Sequence, residues 1–130
     1  MSWVEVFAVL LLSHLTGDYL LQTEWQARSK RGGLGRNREA RRALLAHVTT
    51  YTLAFVPALV WLAGDIGAWV IAAAAAVAVP HLVQDDGRLL GVYVKRVKGF
   101  NAADNPPVTA AVDQTFHFLA LFALALVIAS

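Results

Sequence analysis

The sequence predicts an all-α integral membrane protein, a four-helix bundle built from two helical hairpins. Three observations carry that expectation. The chain has 130 residues, of which 58% are apolar and only 15% charged, and its mean hydropathy is +0.55. That is more apolar surface than a soluble core of this size can hide, so a bilayer is the expected solvent. Its eleven Lys and Arg residues are confined to two stretches, seven between Arg28 and Arg42 and four between Arg88 and Lys98. Finally, all four histidines stand inside apolar stretches.

The first expected span covers residues 3–21. It carries no basic residue ahead of its apolar run and no evident small-residue cleavage site, so it reads as a retained span rather than a signal peptide. The second covers 43–63, with a kink expected at Pro57. The turn Gly64-Asp65-Ile66-Gly67 then leads into a third span over 68–85, and makes spans two and three antiparallel neighbours. Ala72 to Ala76 in that span are small enough for close helix approach. The fourth covers 108–129 and begins just after Pro106-Pro107, a favoured helix start.

Between spans one and two, residues 22–42 form a long basic loop that Gly32, Gly33 and Gly35 should make flexible. Residues 87–105 form the second basic loop, opening with a helical extension over 88–97 that Gly99 and Asn105-Pro106 end. Both loops follow an odd-numbered span, so they share one side. The excess of positive charge places that side in the cytoplasm, with both termini and Asp65 outside. Trp25, Trp61, Trp69, Tyr93 and Phe100 fall near segment ends, as interface anchors do. The loop 28–42 is explained by anionic membrane lipid, and no nucleic-acid partner is expected. The glycines at 32, 33 and 35 lack the spacing of a phosphate loop.

The polar residues within the spans point to one site. His14 precedes Asp18 by four residues, His81 precedes Asp85 by four, and Asp113 precedes His117 by four, whereas His47 has no such neighbour. Residues four apart share a helix face, about 6 Å apart along the axis. With the orientation above, all four clusters fall in the cytoplasmic half of the bundle. Ionisable groups at that depth are costly and usually mark function. The repeat His14-Leu15-x-x-Asp18 and His81-Leu82-x-x-Asp85 suggests two hairpins related by a pseudo-twofold axis.

His14, Asp18, His47, His81, Asp85 and His117 are therefore the candidate metal ligands. Nitrogen and oxygen donors without cysteine suit a divalent ion, zinc foremost, with iron or manganese as alternatives. They suffice for two ions, or for one ion with carboxylates that orient the imidazoles. Asp113, Asp86 and Gln114 are candidate catalytic groups that act on substrate or water, Asp113 being either a ligand or the general base. Gln22 and Arg88 are candidate substrate contacts. Four of these residues have a plainer explanation: His47 as an interhelical hydrogen-bond donor, Asp86 and Arg88 as interfacial residues, Asp113 as an acidic residue in the first turns of a helix.

The pattern His14-x-x-Gly17-Asp18-Tyr19-x-x-Gln22-Thr23-x-Trp25, then His47, His81-x-x-x-Asp85 and Asp113-Gln114-x-x-His117, resembles a family of small bacterial and phage membrane proteins known only as a domain of unknown function, DUF3307. Arg88 stands where that family leads one to expect lysine. The resemblance implies a multi-span membrane protein and supplies no activity. More distantly, the pattern is similar to membrane-bound metal-dependent hydrolases. The expected function is metal-dependent hydrolysis of a lipid-linked or amphiphilic substrate near the cytoplasmic interface. The alternatives are proton or cation translocation, for which the outer halves of the spans offer few polar groups, and a non-catalytic adaptor whose polar layer locks the bundle. Four short spans leave little room for a cavity, so a homo-oligomer is also expected.

Overall fold

The computed structural model describes residues 1–130, and they fold into helices and turns with no strand. Helix α1 covers Trp3–Leu15. Ser2 caps its start, accepting from Val4 N–H at 3.2 Å, while Glu5 accepts from Ser2 N–H at 3.0 Å. The helix widens over Thr16–Leu20, where Leu21 N–H reaches the Thr16 carbonyl five residues back at 3.0 Å. This wide turn carries Asp18.

The segment expected as a flexible loop contains a short helix, α2 (Glu24–Ser29), closed by a reciprocal cap between Thr23 and Gln26. Its glycines serve close approach. A Cβ on Gly33 would lie 2.6 Å from Leu44 Cβ and 2.7 Å from the Ala40 carbonyl oxygen. Gly32 takes a positive φ of 78° that a side chain would oppose.

Helix α3 (Arg38–Ala54) starts inside the basic segment because Asn37 caps it, accepting from Ala40 N–H at 3.1 Å. It breaks at Phe55, and α4 (Val56–Ile66) follows with Pro57 in its first turn, where the missing N–H costs nothing. At Gly67 the backbone leaves the helical region (φ 55°, ψ −132°), a single tight turn spans Gly67–Trp69, and α5 runs over Val70–Asp86. Helices α4 and α5 pack together beyond this reversal. Gly87, at φ 81°, ends α5 and leads into α6 (Arg88–Tyr93), which widens over Val94–Lys98 and stops at Gly99. Helix α7 (Pro106–Ile128) begins with Pro106-Pro107 under an Asn105 cap.

Three stretches, not the four expected, are long and apolar enough to cross a membrane: Trp3–Leu20, Val56–Asp86 and Pro106–Ile128. The expected second span, 43–63, does not stand by itself. Its first half belongs to a helix that begins among Arg38, Glu39, Arg41 and Arg42, and the break at Phe55 assigns its second half to a helical run continuing into α5.

Helix α1 packs on α7, α7 on α5, and α5 on α3, with α2 laid against α3. One apolar cluster fills the bundle away from the basic loops: Val6 and Leu10 of α1, Tyr51 of α3, Phe55, Leu62, Val77, Leu121 and Ala125. The burial pattern inverts that of a soluble protein. All four histidines are at most 1% exposed, whereas Val60, Ile71 and Val127 are 70%, 74% and 71% exposed.

Candidate metal centre

All four histidines converge at the end of the bundle nearest the basic loops. The i, i+4 spacing places His14 and Asp18 on one face of α1 and its wide turn, and His81 and Asp85 on one face of α5. The decisive contacts, however, run between helices. His47 Nε2 on α3 lies 3.1 Å from Asp18 Oδ1, 2.8 Å from Asp85 Oδ2 and 2.9 Å from His81 Nε2. His81 Nε2 is 3.2 Å from Asp85 Oδ2 and 3.4 Å from Asp18 Oδ1. These four donor atoms lie within 4.8 Å of one another, and all four residues are buried.

Hydrogen bonding alone does not satisfy that arrangement. Two imidazole nitrogens facing each other at 2.9 Å share one hydrogen at most, since two N–H groups would collide and two lone pairs repel. Asp18 Oδ1 has no hydrogen-bond partner despite being buried, nor do His47 Nδ1 and His81 Nδ1. A buried polar atom without a partner costs about 1–3 kcal/mol.

The two remaining histidines flank this group. His14 Nε2–H donates to Gln114 Oε1 at 2.8 Å, which leaves Nδ1 to accept from the Tyr51 hydroxyl at 2.9 Å. Gln114 in turn donates to Asp18 Oδ2 at 3.4 Å, so His14 reaches the carboxylate through an amide. His117 Nδ1–H donates to the Asp113 carbonyl at 2.7 Å, and its Nε2 faces Asp85 Oδ1 at 3.0 Å. Asp113 brings its backbone rather than its carboxylate to that histidine, its Oδ1 being 3.9 Å from His117 Nδ1. Asp85, Asp113 and His117 form a second, looser set of donor atoms that shares Asp85 with the first.

Two residues of the site were not expected from the sequence. Lys30 Nζ lies 2.6 Å from Asp85 Oδ2 and donates to Gln22 Oε1 at 2.5 Å. Nothing in a run of basic residues distinguishes the one that turns inward. Tyr51 stacks flat on the His81 ring, with centroids 3.4 Å apart and planes 2° from parallel. Its position four residues after His47 was the available signal. Gly17 admits this ring, because a Cβ there would lie 2.7 Å from Tyr51 Cδ2.

Gln22 lies beside the centre, donating to the Asp18 carbonyl at 3.3 Å. Asp86 and Arg88 sit apart from the histidines. The Asp86 carboxylate accepts from Leu34 N–H at 2.9 Å and from Arg88 Nε at 2.7 Å, while its carbonyl accepts from Gly32 N–H at 2.8 Å. These bonds fix the loop that delivers Lys30 one residue beyond the end of α2. The neighbouring Asp86 raises the pKa of Arg88 above its ordinary value.

A groove of about 320 Å³ opens beside the centre, lined by Gln84, Leu89, Leu90, Tyr93, Asp113 and Phe116. Gln84, Leu90 and Asp113 also border a narrow polar recess whose other walls include Lys30, Arg31 and Asp85.

No curated protein and no solved structure matches the chain. A family model described as a protein of unknown function (DUF3307) matches residues 6–130. The chain thus belongs to the DUF3307 family.

Proposed function

We propose that this protein is a bacterial cytoplasmic-membrane metalloprotein, and that it hydrolyses an amphiphilic or lipid-linked substrate near the cytoplasmic face. The observation that carries the metal reading is the set of separations among Asp18 Oδ1, His47 Nε2, His81 Nε2 and Asp85 Oδ2, which run from 2.8 to 3.4 Å for the pairs that include a histidine. Donors about 2.0–2.2 Å from a tetrahedral zinc ion are separated from each other by about 3.3–3.6 Å, so the longest pair already has that spacing and the shorter ones would open by up to about half an ångström around an ion. A divalent cation would use the two facing Nε2 lone pairs and Asp18 Oδ1, which hydrogen bonding leaves in conflict. Zinc suits two nitrogens and two oxygens, and iron or manganese is the alternative.

In this reading His14 and His117 are positioning residues. His117 orients Asp85, and His14 orients Asp18 through Gln114. A bound zinc-like ion would polarise a phosphoryl or acyl oxygen and acidify a water. Asp113 borders both groove and recess, where its carboxylate can accept a proton from attacking water.

Membrane insertion is supported by the exposed apolar faces and by the exposed Trp25, Trp61 and Trp69. We take the run Val56–Asp86 as two legs of a hairpin. Its 31 residues would extend about 47 Å as one straight helix, against a hydrocarbon core of about 30 Å. Since α4 alone would extend only about 17 Å, the second pass would combine α3 with α4; the chain would then pass four times, with both basic loops in the cytoplasm.

One observation favours a second reading. Lys30 already supplies a cation to Asp85 at 2.6 Å, so the cluster could be a polar lock in an adaptor that binds no metal. Hydrolysis separates the two. Zinc-loaded protein in liposomes should release phosphate or acyl product from a panel of phospho- and acyl-lipids. Chelation and Asp113→Asn should each abolish turnover. A folded, zinc-loaded protein that turns over none of the panel would remove the hydrolase reading.

A further inference from the structure

The groove and the recess adjoin, sharing Gln84, Leu90 and Asp113 as walls, and differ in chemistry. The groove walls are mainly apolar, with Leu89, Leu90, Tyr93 and Phe116 on α6 and α7. The recess is polar and carries two cations, Lys30 and Arg31. Lys30 is committed to Asp85. Arg31 is exposed and pairs with no carboxylate, unlike Lys30 and Arg88. Gly87 leaves room for the guanidinium at the end of α5, since a Cβ there would lie 3.3 Å from Arg31 Nη1. An unpaired guanidinium beside an apolar groove is suited to an oxyanion, which it can grip with two parallel N–H bonds.

The volume sets the size of the apolar part. About 320 Å³ lies at the lower end of ligand pockets, so it accommodates a single chain segment and not two full acyl chains. The recess, at about 10 Å³, admits at most one water-sized group. A head group would therefore rest at its rim on Arg31, directing one oxygen towards Asp85 and the histidines. Among oxyanions, a phosphate monoester carries a charge of about −1.5 to −2 at neutral pH and offers three acceptor oxygens, enough to engage both N–H groups of the Arg31 fork and leave one oxygen directed inward.

We propose that this site binds a single-chain phosphorylated amphiphile, with its chain in the groove of α5, α6 and α7 and its phosphate on Arg31. The identity of the amphiphile as substrate rests on the hydrolase reading above; its binding does not. Asp113, on the same recess, opposes the phosphate by like charge. Its neutralisation should tighten binding.

The test uses an alkyl phosphate carrying a photoactivatable group at its chain end. It is added to full-length protein in neutral detergent with EDTA present, so that metal and turnover play no part. Labelling should concentrate on the peptides that contain Leu89, Tyr93 and Phe116. Arg31→Ala should reduce it about tenfold, as loss of a charge-assisted hydrogen bond does, and Asp113→Asn should raise it. The uncharged alcohol of equal chain length should label weakly and without preference. Arg31 is exposed and free of ion pairs, so its replacement should leave the fold intact, and an unchanged melting temperature checks this. Labelling spread over all outward faces, or equal labelling of wild type and Arg31→Ala, would overturn the proposal. Focused labelling, when the same protein binds no metal in a separate chelator-free measurement, would overturn the hydrolase and leave the binding site standing. Metal binding without focused labelling would do the reverse.

Discussion

His47 Nε2 and His81 Nε2 face each other across 2.9 Å, and both look onto Asp85 Oδ2, at 2.8 and 3.2 Å. The two rings come from α3 and α5, so this contact ties the two helices together at the level of the site. Asp18 closes the group from the wide turn after α1, where the five-residue backbone step turns its carboxylate inward. Each aspartate of the His-Leu-x-x-Asp repeat thus meets the histidine of the next long helix: Asp18 with His47, Asp85 with His117.

Lys30 occupies the edge of the centre as a competing cation, 2.6 Å from Asp85 Oδ2. Replacing it with methionine keeps the length of the stem and removes the charge that repels a metal ion. Divalent-ion affinity, read by competition with a chelator, should rise about tenfold or more. If the centre is instead a polar lock, Lys30→Met should unfold the bundle, because breaking a buried pair costs about 3–5 kcal/mol.

Tyr51→Phe keeps the stack on His81 and removes the hydroxyl that lies 2.9 Å from His14 Nδ1. A buried ring nitrogen is then left without a partner, at a cost of about 1–3 kcal/mol. Thermal melts in detergent should show the loss, and a double replacement with His14→Phe should recover part of it.

Gly17 and Gly33 are expected to resist substitution for steric reasons. Alanine at 17 would meet Tyr51 Cδ2 at 2.7 Å and Tyr51 Cα at 3.2 Å, and the latter is backbone that cannot swing away. Overpacking of this kind costs about 1–3 kcal/mol. Gly17→Ala should lower stability and metal affinity together, as read by melting temperature and by chelator competition.

Asp86 holds the loop after α2 through Leu34 N–H, Gly32 N–H and Arg88. Asp86→Asn should leave the histidine cluster in place but weaken this tether. Limited proteolysis should then cut between Arg28 and Arg38 several times faster than in wild type. Equal cleavage rates would show that the tether carries little of the loop's order.

Local spacing made part of this site legible and concealed the rest. His14 with Asp18 and His81 with Asp85 follow from helix periodicity, because a side chain four residues on returns to the same face. His47 has no such neighbour, yet its Nε2 faces three of the other donor atoms. Its partners come from other helices, which no periodicity in its own segment records. Lys30 was hidden for a similar reason. Its role depends on a loop tethered by Asp86, some fifty residues away in sequence, as the bond from Leu34 N–H to Asp86 shows (a separation of 52 residues).

The helices themselves were legible wherever apolar composition and helix boundaries coincide, as in α7 after Pro106-Pro107. They were misplaced where the two diverge. Asn37 starts α3 among charged residues, and Phe55 divides a stretch that hydropathy reads as continuous. Caps and breaks are set by single residues, and apolarity is averaged over many.

The most direct test of the metal centre is metal content by inductively coupled plasma mass spectrometry on detergent-purified protein. Wild type should be measured beside His47→Ala and Asp85→Asn, with Asp86→Asn as a neighbour outside the donor set. About one equivalent of zinc, iron or manganese is expected in wild type and in Asp86→Asn, and loss of it in the other two. Wild-type protein that is folded, monodisperse and free of metal after supplementation would contradict that expectation.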